Sequence, residues 1–107
     1  MRTFLGEFEQ LLLLALMAAK DETYGVEIRR AIETRAGRTV SPGAVYTALD
    51  RLERRGLVVS RLGEPTPQRG GKSKRYYRIL PAGATLLRQS QRSLARMASG
   101  VPKLETP

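Results

Sequence analysis

Leu11–Ala19 is an unbroken run of nine apolar residues, and on a helix those side chains cover nearly the whole circumference. A helix that is apolar all round must be covered on several sides. A chain of 107 residues has few elements with which to do it, so one side is expected to face a second subunit. The run is too short for a membrane span, which takes ~20 apolar residues. Glu7 and Glu9 stand where an export signal would carry basic residues. The chain is therefore read as soluble and cytoplasmic, with no membrane partner. Its length and its 41% hydrophobic content suit a single core.

The missing residue types narrow the function. There is no cysteine, which excludes disulfides, thiolate metal sites and a cysteine nucleophile. Nor is there a histidine, the commonest acid–base group and metal ligand. No enzyme activity, cofactor or metal is expected. The net charge of +9 instead asks for a polyanion. Residues 1–37 carry 5 basic and 6 acidic side chains, residues 38–80 carry 10 and 3, and residues 81–107 carry 4 and 1. Charge clustered in the middle third reads as a footprint for phosphate.

Local signals divide the chain into elements. The first helix runs from about Glu7 to Ala19. A second begins with Thr23 as N-cap, sets Tyr24, Ile28, Ala31 and Ile32 on its apolar side, and stops at Gly37. A third has Ser41 as cap, Pro42 in its first turn and Gly56 at its end. Ala44, Val45, Ala48, Leu49 and Leu52 fall on one side of it. Gly43, Thr47, Asp50, Arg51 and Arg54 fall on the other, with Tyr46 at the border. Asp50 and Glu53 are expected to pair with Arg54. Two strand-like runs follow, Leu57–Leu62 and Arg75–Leu80, joined by a Gly- and Pro-rich hairpin tip. Tyr76 and Tyr77 alternate in facing, so one is core and the other exposed. A last helix runs from Pro81 to about Ser99, with Leu87, Ser90, Leu94, Met97 and Val101 forming a short heptad-like seam.

This order predicts a mainly α fold with a β component: a winged helix-turn-helix over 1–80 with a two-stranded wing, a dimerisation helix over 81–99 and a flexible tail over 100–107. The third helix is then the one that enters a major groove, which at ~12 Å admits a single helix. The predicted DNA contacts are Ser41, Gly43, Tyr46, Thr47, Arg51 and Arg54 on that helix. Arg61, Arg69, Lys72, Lys74 and Arg75 on the hairpin are expected to hold phosphate. Leu12, Leu16, Leu87, Leu94 and Met97 are expected at the subunit contact. Gly70-Gly71-Lys72-Ser73 is not read as a nucleotide loop, because position 66 is Thr and a strand rather than a helix follows.

Leu5-Gly6 with the Leu-rich helix, Thr23-Tyr24-Gly25-Val26-Glu27-Ile28, Ser41-Pro42-Gly43-Ala44-Val45-Tyr46, Leu49, Leu52, Gly56-Leu57-Val58, Lys74-Arg75-Tyr76-Tyr77 and Pro81-Ala82-Gly83 together resemble the PadR family of bacterial transcriptional regulators over about residues 4–98. The resemblance implies a homodimeric repressor that binds inverted-repeat operators in double-stranded DNA. It also implies dimerisation through the C-terminal helix packed with the first helix, and a Tyr46 near the DNA backbone. The chain is similar to the short-tailed subfamily. It departs from the pattern at Leu80, where the family often has a capping Thr, so fraying is expected at the start of the last helix. Some short members bind flat aromatic drugs at the dimer centre through a Trp, and this chain has none. The alternative function is a regulator that senses a small-molecule effector in an apolar pocket at the dimer interface.

Overall fold

Gly6 holds an extended conformation ahead of the Leu run, and the Glu9 carboxylate turns back to accept from its amide at 2.8 Å. A carboxylate there satisfies an amide that has no helical partner and lies at the positive end of the helix dipole. The computed structural model describes residues 4–64 and 73–104. In chain order the elements are α1 (Glu7–Ala18), β1 (Thr23–Tyr24), α2 (Gly25–Ala36), α3 (Pro42–Arg54), β2 (Val58–Leu62), β3 (Arg75–Ile79) and α4 (Pro81–Ala98), then one 3-10 turn at Pro102–Leu104. The fold is mainly helical, with a small antiparallel sheet in the order β1-β3-β2.

The Leu run sits at the centre. Leu12 and Leu13 are 0% exposed and Leu16 is 1% exposed, because α1 packs against α2, α3, α4 and β3 together. Ile28 and Ile32 of α2, Val45, Leu49 and Leu52 of α3, and Leu87 of α4 complete the core. One side of α1 stays open, at Leu14, Met17 and Ala18. No described helix is long and apolar enough to cross a membrane.

Thr23 does not cap α2. It pairs with Tyr77, and Tyr24 pairs with Tyr76, so the two residues form an edge strand beside β3 and the wing gains a third strand. Tyr24 supplies the extended residue before α2 without a side-chain hydrogen bond. Thr and Tyr suit a pleated, half-buried surface, and two strand pairings replace the one hydrogen bond of a cap. Gly37 ends α2 as expected, in the left-handed region at φ 68°.

The local signals in α3 are realised. Ser41 Oγ accepts from the Ala44 amide at 3.1 Å, and Pro42 occupies the first turn. At the far end Gly56 has φ 75°, its amide donates to Glu53 O at 3.0 Å, and Leu57 N donates to Leu52 O at 3.0 Å. That pair of bonds is a Schellman motif, which turns the chain directly into β2. Ala44 differs from expectation and is exposed: residues 41–44 stand clear of the core, so the first turn has nothing to pack on.

Leu80 offers no side-chain cap to α4. The start of the helix is anchored instead by backbone, with the Leu80 amide donating to Leu57 O at 2.9 Å. Gly83 lies so close to the same carbonyl that a Cβ would stand 2.2 Å from it. Farther along, buried Gln10 donates to Leu5 O at 3.2 Å and accepts from Gln91 Nε2 at 2.6 Å, joining α1 to α4. From Gln91 to Leu104 every residue is exposed, so the distal half of α4 leaves the body.

Gly83→Ala is expected to destabilise the protein by about 1–3 kcal/mol, as overpacking against unyielding backbone does. Urea unfolding of the variant beside the native chain measures it.

Candidate nucleic-acid interface

The helix-turn-helix pair α2–α3 turns the apolar side of α3 inward and leaves a polar side facing out. Gly43, Tyr46, Thr47, Asp50, Arg51 and Arg54 are all exposed, spaced three or four residues apart along one face. Ser41 and Gly43 lie at its leading end, and a Cβ at Gly43 would meet nothing within 4 Å. Pro42 has no N–H and the Ala44 amide is taken by Ser41, so the Gly43 amide is the first-turn donor left for an anion. Arg54 pairs with Asp50 at 2.6 Å. Arg51 carries no carboxylate partner among the described residues.

Tyr46 is 44% exposed, and its hydroxyl end folds back over the start of α2. A Cβ on Gly25 would lie 2.3 Å from Tyr46 Oη, so only glycine at 25 leaves the ring this position. Gly25 thereby sets where the Tyr46 hydroxyl stands on the outer surface.

Glu53 does not pair with Arg54, which points the other way toward Asp50. It accepts from the Ser60 amide at 3.1 Å and from Ser60 Oγ at 2.9 Å, while Arg75 Nη1 donates to the same Oγ at 3.1 Å. One serine thus joins the last turn of α3 to both strands of the wing hairpin. Arg55 reaches back to Glu9 of α1 at 3.3 Å, and Arg38, just before α3, pairs with Glu7 at 2.8 Å.

The wing cations have partners of two kinds. Lys74 Nζ lies 4.2 Å from the centre of the Tyr24 ring, and Tyr24 meets Tyr76 edge to face at 5.6 Å. Arg61 stands over Tyr76 at 4.9 Å and donates through Nε and Nη2 to the Glu22 carboxylate, the Nε bond measuring 3.0 Å. The Arg61 hydrogen bond pulls the Glu22 carboxyl below its ordinary range, against the opposing effect of desolvation. Tyr77 is the buried member of its pair, and burial pushes its hydroxyl upward. Arg69 and Lys72 lie outside the described residues.

The five residues expected at a subunit contact divide. Leu12, Leu16 and Leu87 are 0–2% exposed within the protomer's own core, so their side chains are unavailable to a partner. Leu94 and Met97 are 59% and 77% exposed. An apolar groove of about 500 Å³ runs between α1 and α2, lined by Leu11, Leu14, Met17 and Ile32 with Arg35 at its edge. Leu11 and Leu14 also line a second groove, between α1 and α4, which includes Leu94.

Sequence reasoning missed Glu22, Gly25 and Ser60 and gave Glu53 the wrong partner. The partners of Glu22 and Gly25 are far away in the chain, and no local periodicity marks them. Glu53 and Ser60 are seven residues apart across the helix-to-strand turn at Gly56, a turn that the sequence marks.

The family model described as "Transcriptional regulator PadR-like family" matches residues 13–89. The chain is 38% identical over 86 residues to the transcriptional regulator Rv3488 of Mycobacterium tuberculosis, covering 78% of this chain and 74% of that protein. It spans 28% and 33% of two other, longer curated relatives. Its fold is similar to that of a transcriptional regulator from Clostridium thermocellum, with a TM-score of 0.73, 25% identity, and coverage of 92% of this chain and 89% of the other. It is also similar to a PadR family transcription regulator from Clostridium difficile, with a TM-score of 0.68, 26% identity and coverage of 87% and 95%.

Replacing Glu53 by Ala leaves the Ser60 amide and hydroxyl without their acceptor. The expected cost is about 1–2 kcal/mol for a part-buried charged acceptor, read from urea unfolding, with Glu53→Gln losing less.

Proposed function

The chain belongs to the PadR-like family of transcriptional regulators, not to an enzyme family, and on that premise we propose that it is a cytoplasmic, homodimeric repressor that binds an inverted-repeat operator through two copies of α3. The observation that carries this reading is the outward face of α3. Val45, Ala48, Leu49 and Leu52 are used in the core, while Gly43, Tyr46, Thr47 and Arg51 stand along the open outer face of a capped helix. An Arg can take guanine bidentately, a Thr hydroxyl can pair with a base edge, and the helix N-terminus and the wing cations can hold phosphate. A two-fold dimer would set the two copies of α3 ~34–36 Å apart, in successive major grooves.

Dimerisation is supported by the apolar surface left open. Leu94, Met97, Val101 and Leu104 are 59%, 77%, 37% and 68% exposed on the distal part of α4 and the turn after it. Leu94 and Met97 are three residues apart on α4, whereas Val101, expected in the same seam, and Leu104 follow the break at Ser99 and Gly100. Leu14 and Met17 of α1 offer a matching apolar stripe beside the groove. The α1–α2 groove also favours the second reading, in which a small apolar effector at the dimer interface adjusts DNA binding. A panel of planar cations that raises the melting temperature and releases DNA would support it, and no shift with any of them would remove it.

Two outcomes are expected. Selection from a random duplex pool should yield an inverted repeat, and Arg51→Ala and Thr47→Ala should each weaken binding to it by about 1–3 kcal/mol, with the dimer intact. Unchanged affinity in both variants would remove α3 as the reader. Leu94→Asp with Met97→Asp should give a folded monomer by sedimentation, because neither side chain contributes to the protomer's core. A dimer that survives both would place the contact elsewhere.

A further inference from the structure

Wing cations act on DNA through their charge, so what each one already touches decides how much charge it has left to give. Four of them are described, Arg61, Lys74, Arg75 and Arg78, and the first three have partners. Lys74 rests on the face of Tyr24, and Arg75 donates to the hydroxyl of Ser60. Both partners are neutral, so both cations keep their full charge for a phosphate. Arg61 differs. Its guanidinium donates through Nε and Nη2 to both oxygens of Glu22, a paired geometry that matches the fork of the side chain and that a phosphate would also use. Tyr76 lies beneath it at 4.9 Å and holds the guanidinium in place from the other side.

The carboxylate is placed by the fold. Glu22 directly precedes β1, and the pairing of Thr23 with Tyr77 and of Tyr24 with Tyr76 fixes that segment along β3. Arg61 is opposite Tyr76 on β2. The edge strand therefore carries a carboxylate across the sheet to a wing arginine. The Glu22 side chain is 22% exposed and that of Arg61 is 57% exposed, so the anion is held by its surroundings while the guanidinium remains open to the outside.

We propose that Glu22 competes with DNA phosphate for Arg61 and so holds down the sequence-independent part of duplex binding. An intramolecular carboxylate is always present at high effective concentration, and the backbone phosphates of any duplex must displace it. A guanidinium neutralised in this way releases no counterion on binding and adds nothing to the salt dependence. Base contacts from α3 are untouched, so Glu22 lowers the affinity for any duplex by a similar factor and leaves the choice of sequence to α3. The inference rests on the DNA-binding reading above.

The test uses the full chain and a labelled random-sequence duplex, titrated between 50 and 200 mM salt, and compares the native protein with Glu22→Gln, Arg61→Ala and the double variant. Circular dichroism and thermal melting confirm that each is folded, and Glu22→Ala serves if Glu22→Gln does not fold. The expected result is that Glu22→Gln binds about 3–10-fold more tightly and steepens the log–log salt slope by about 0.9, the value for one added phosphate contact. Arg61→Ala alone should change affinity by less than about twofold, and the double variant should match Arg61→Ala. Three results would overturn the proposal: no change in Glu22→Gln, a marked loss in Arg61→Ala alone, or tighter binding that persists in the double variant and so reports only a lost negative charge. A native protein that binds no duplex at any salt overturns the DNA-binding reading itself, and is told apart from the other three by that absence.

Discussion

Everything in this fold is arranged around one helix that cannot be left in water. α1 buries Leu12, Leu13 and Leu16 completely, and each contributes about 1.5–3 kcal/mol relative to exposure. Three sides of the helix are used, by α2, α3 and the α4–β3 unit. Because α2 and α3 both rest on α1 and on each other, the angle of the helix pair is fixed by the core, and α3 can present a polar face without being held by it. The wing is tied into the same assembly through Leu57, Val58 and Tyr77, all buried against the helices.

Three of the six acidic residues of the nearly neutral N-terminal third pair with the basic middle third. Glu7 meets Arg38, Glu9 meets Arg55 and Glu22 meets Arg61. Asp50 neutralises Arg54 from one turn away. The positive charge counted along the sequence therefore overstates what the surface presents. Arg51, Lys74 and Arg75 keep theirs, and they stand on the outer face of α3 and on the wing. Surface pairs of this kind add little stability, but they decide which cations are free to meet an anion.

Legibility in the sequence followed the range of the interactions. Ser41, Pro42 and Gly56 act on backbone groups within four residues, and α3 begins and ends where they say. Gly37 does the same for α2. Thr23 was misread because its competing partner, Tyr77, lies in a distant strand, and no local pattern reveals a two-residue edge. Glu22 and Arg61 are 39 residues apart and are joined only by sheet register. The apolar stripe of α4 from Leu87 to Met97 is visible as a heptad-like pattern, but periodicity cannot tell that the helix ends before Val101 or where the body of the protein stops. Leu87 lies under it and Leu94 beyond it, although both occupy the same stripe.

That boundary has a mechanical meaning. α4 is rooted at Gly83 and Leu87 and tied once more by the Gln10–Gln91 hydrogen bond, after which it runs on unsupported. Eighteen residues of helix make a rod of about 27 Å, so a tilt of about 5° at the root swings the tip by about 2.4 Å. In a two-fold assembly built through that tip, the swing would be doubled between the two copies of α3, to about 4.8 Å, which is more than the ~3.4 Å rise of one base pair. A single amide-to-amide bond in the body of each protomer would then act as a gauge, holding the separation of two distant helices to the pitch of the duplex.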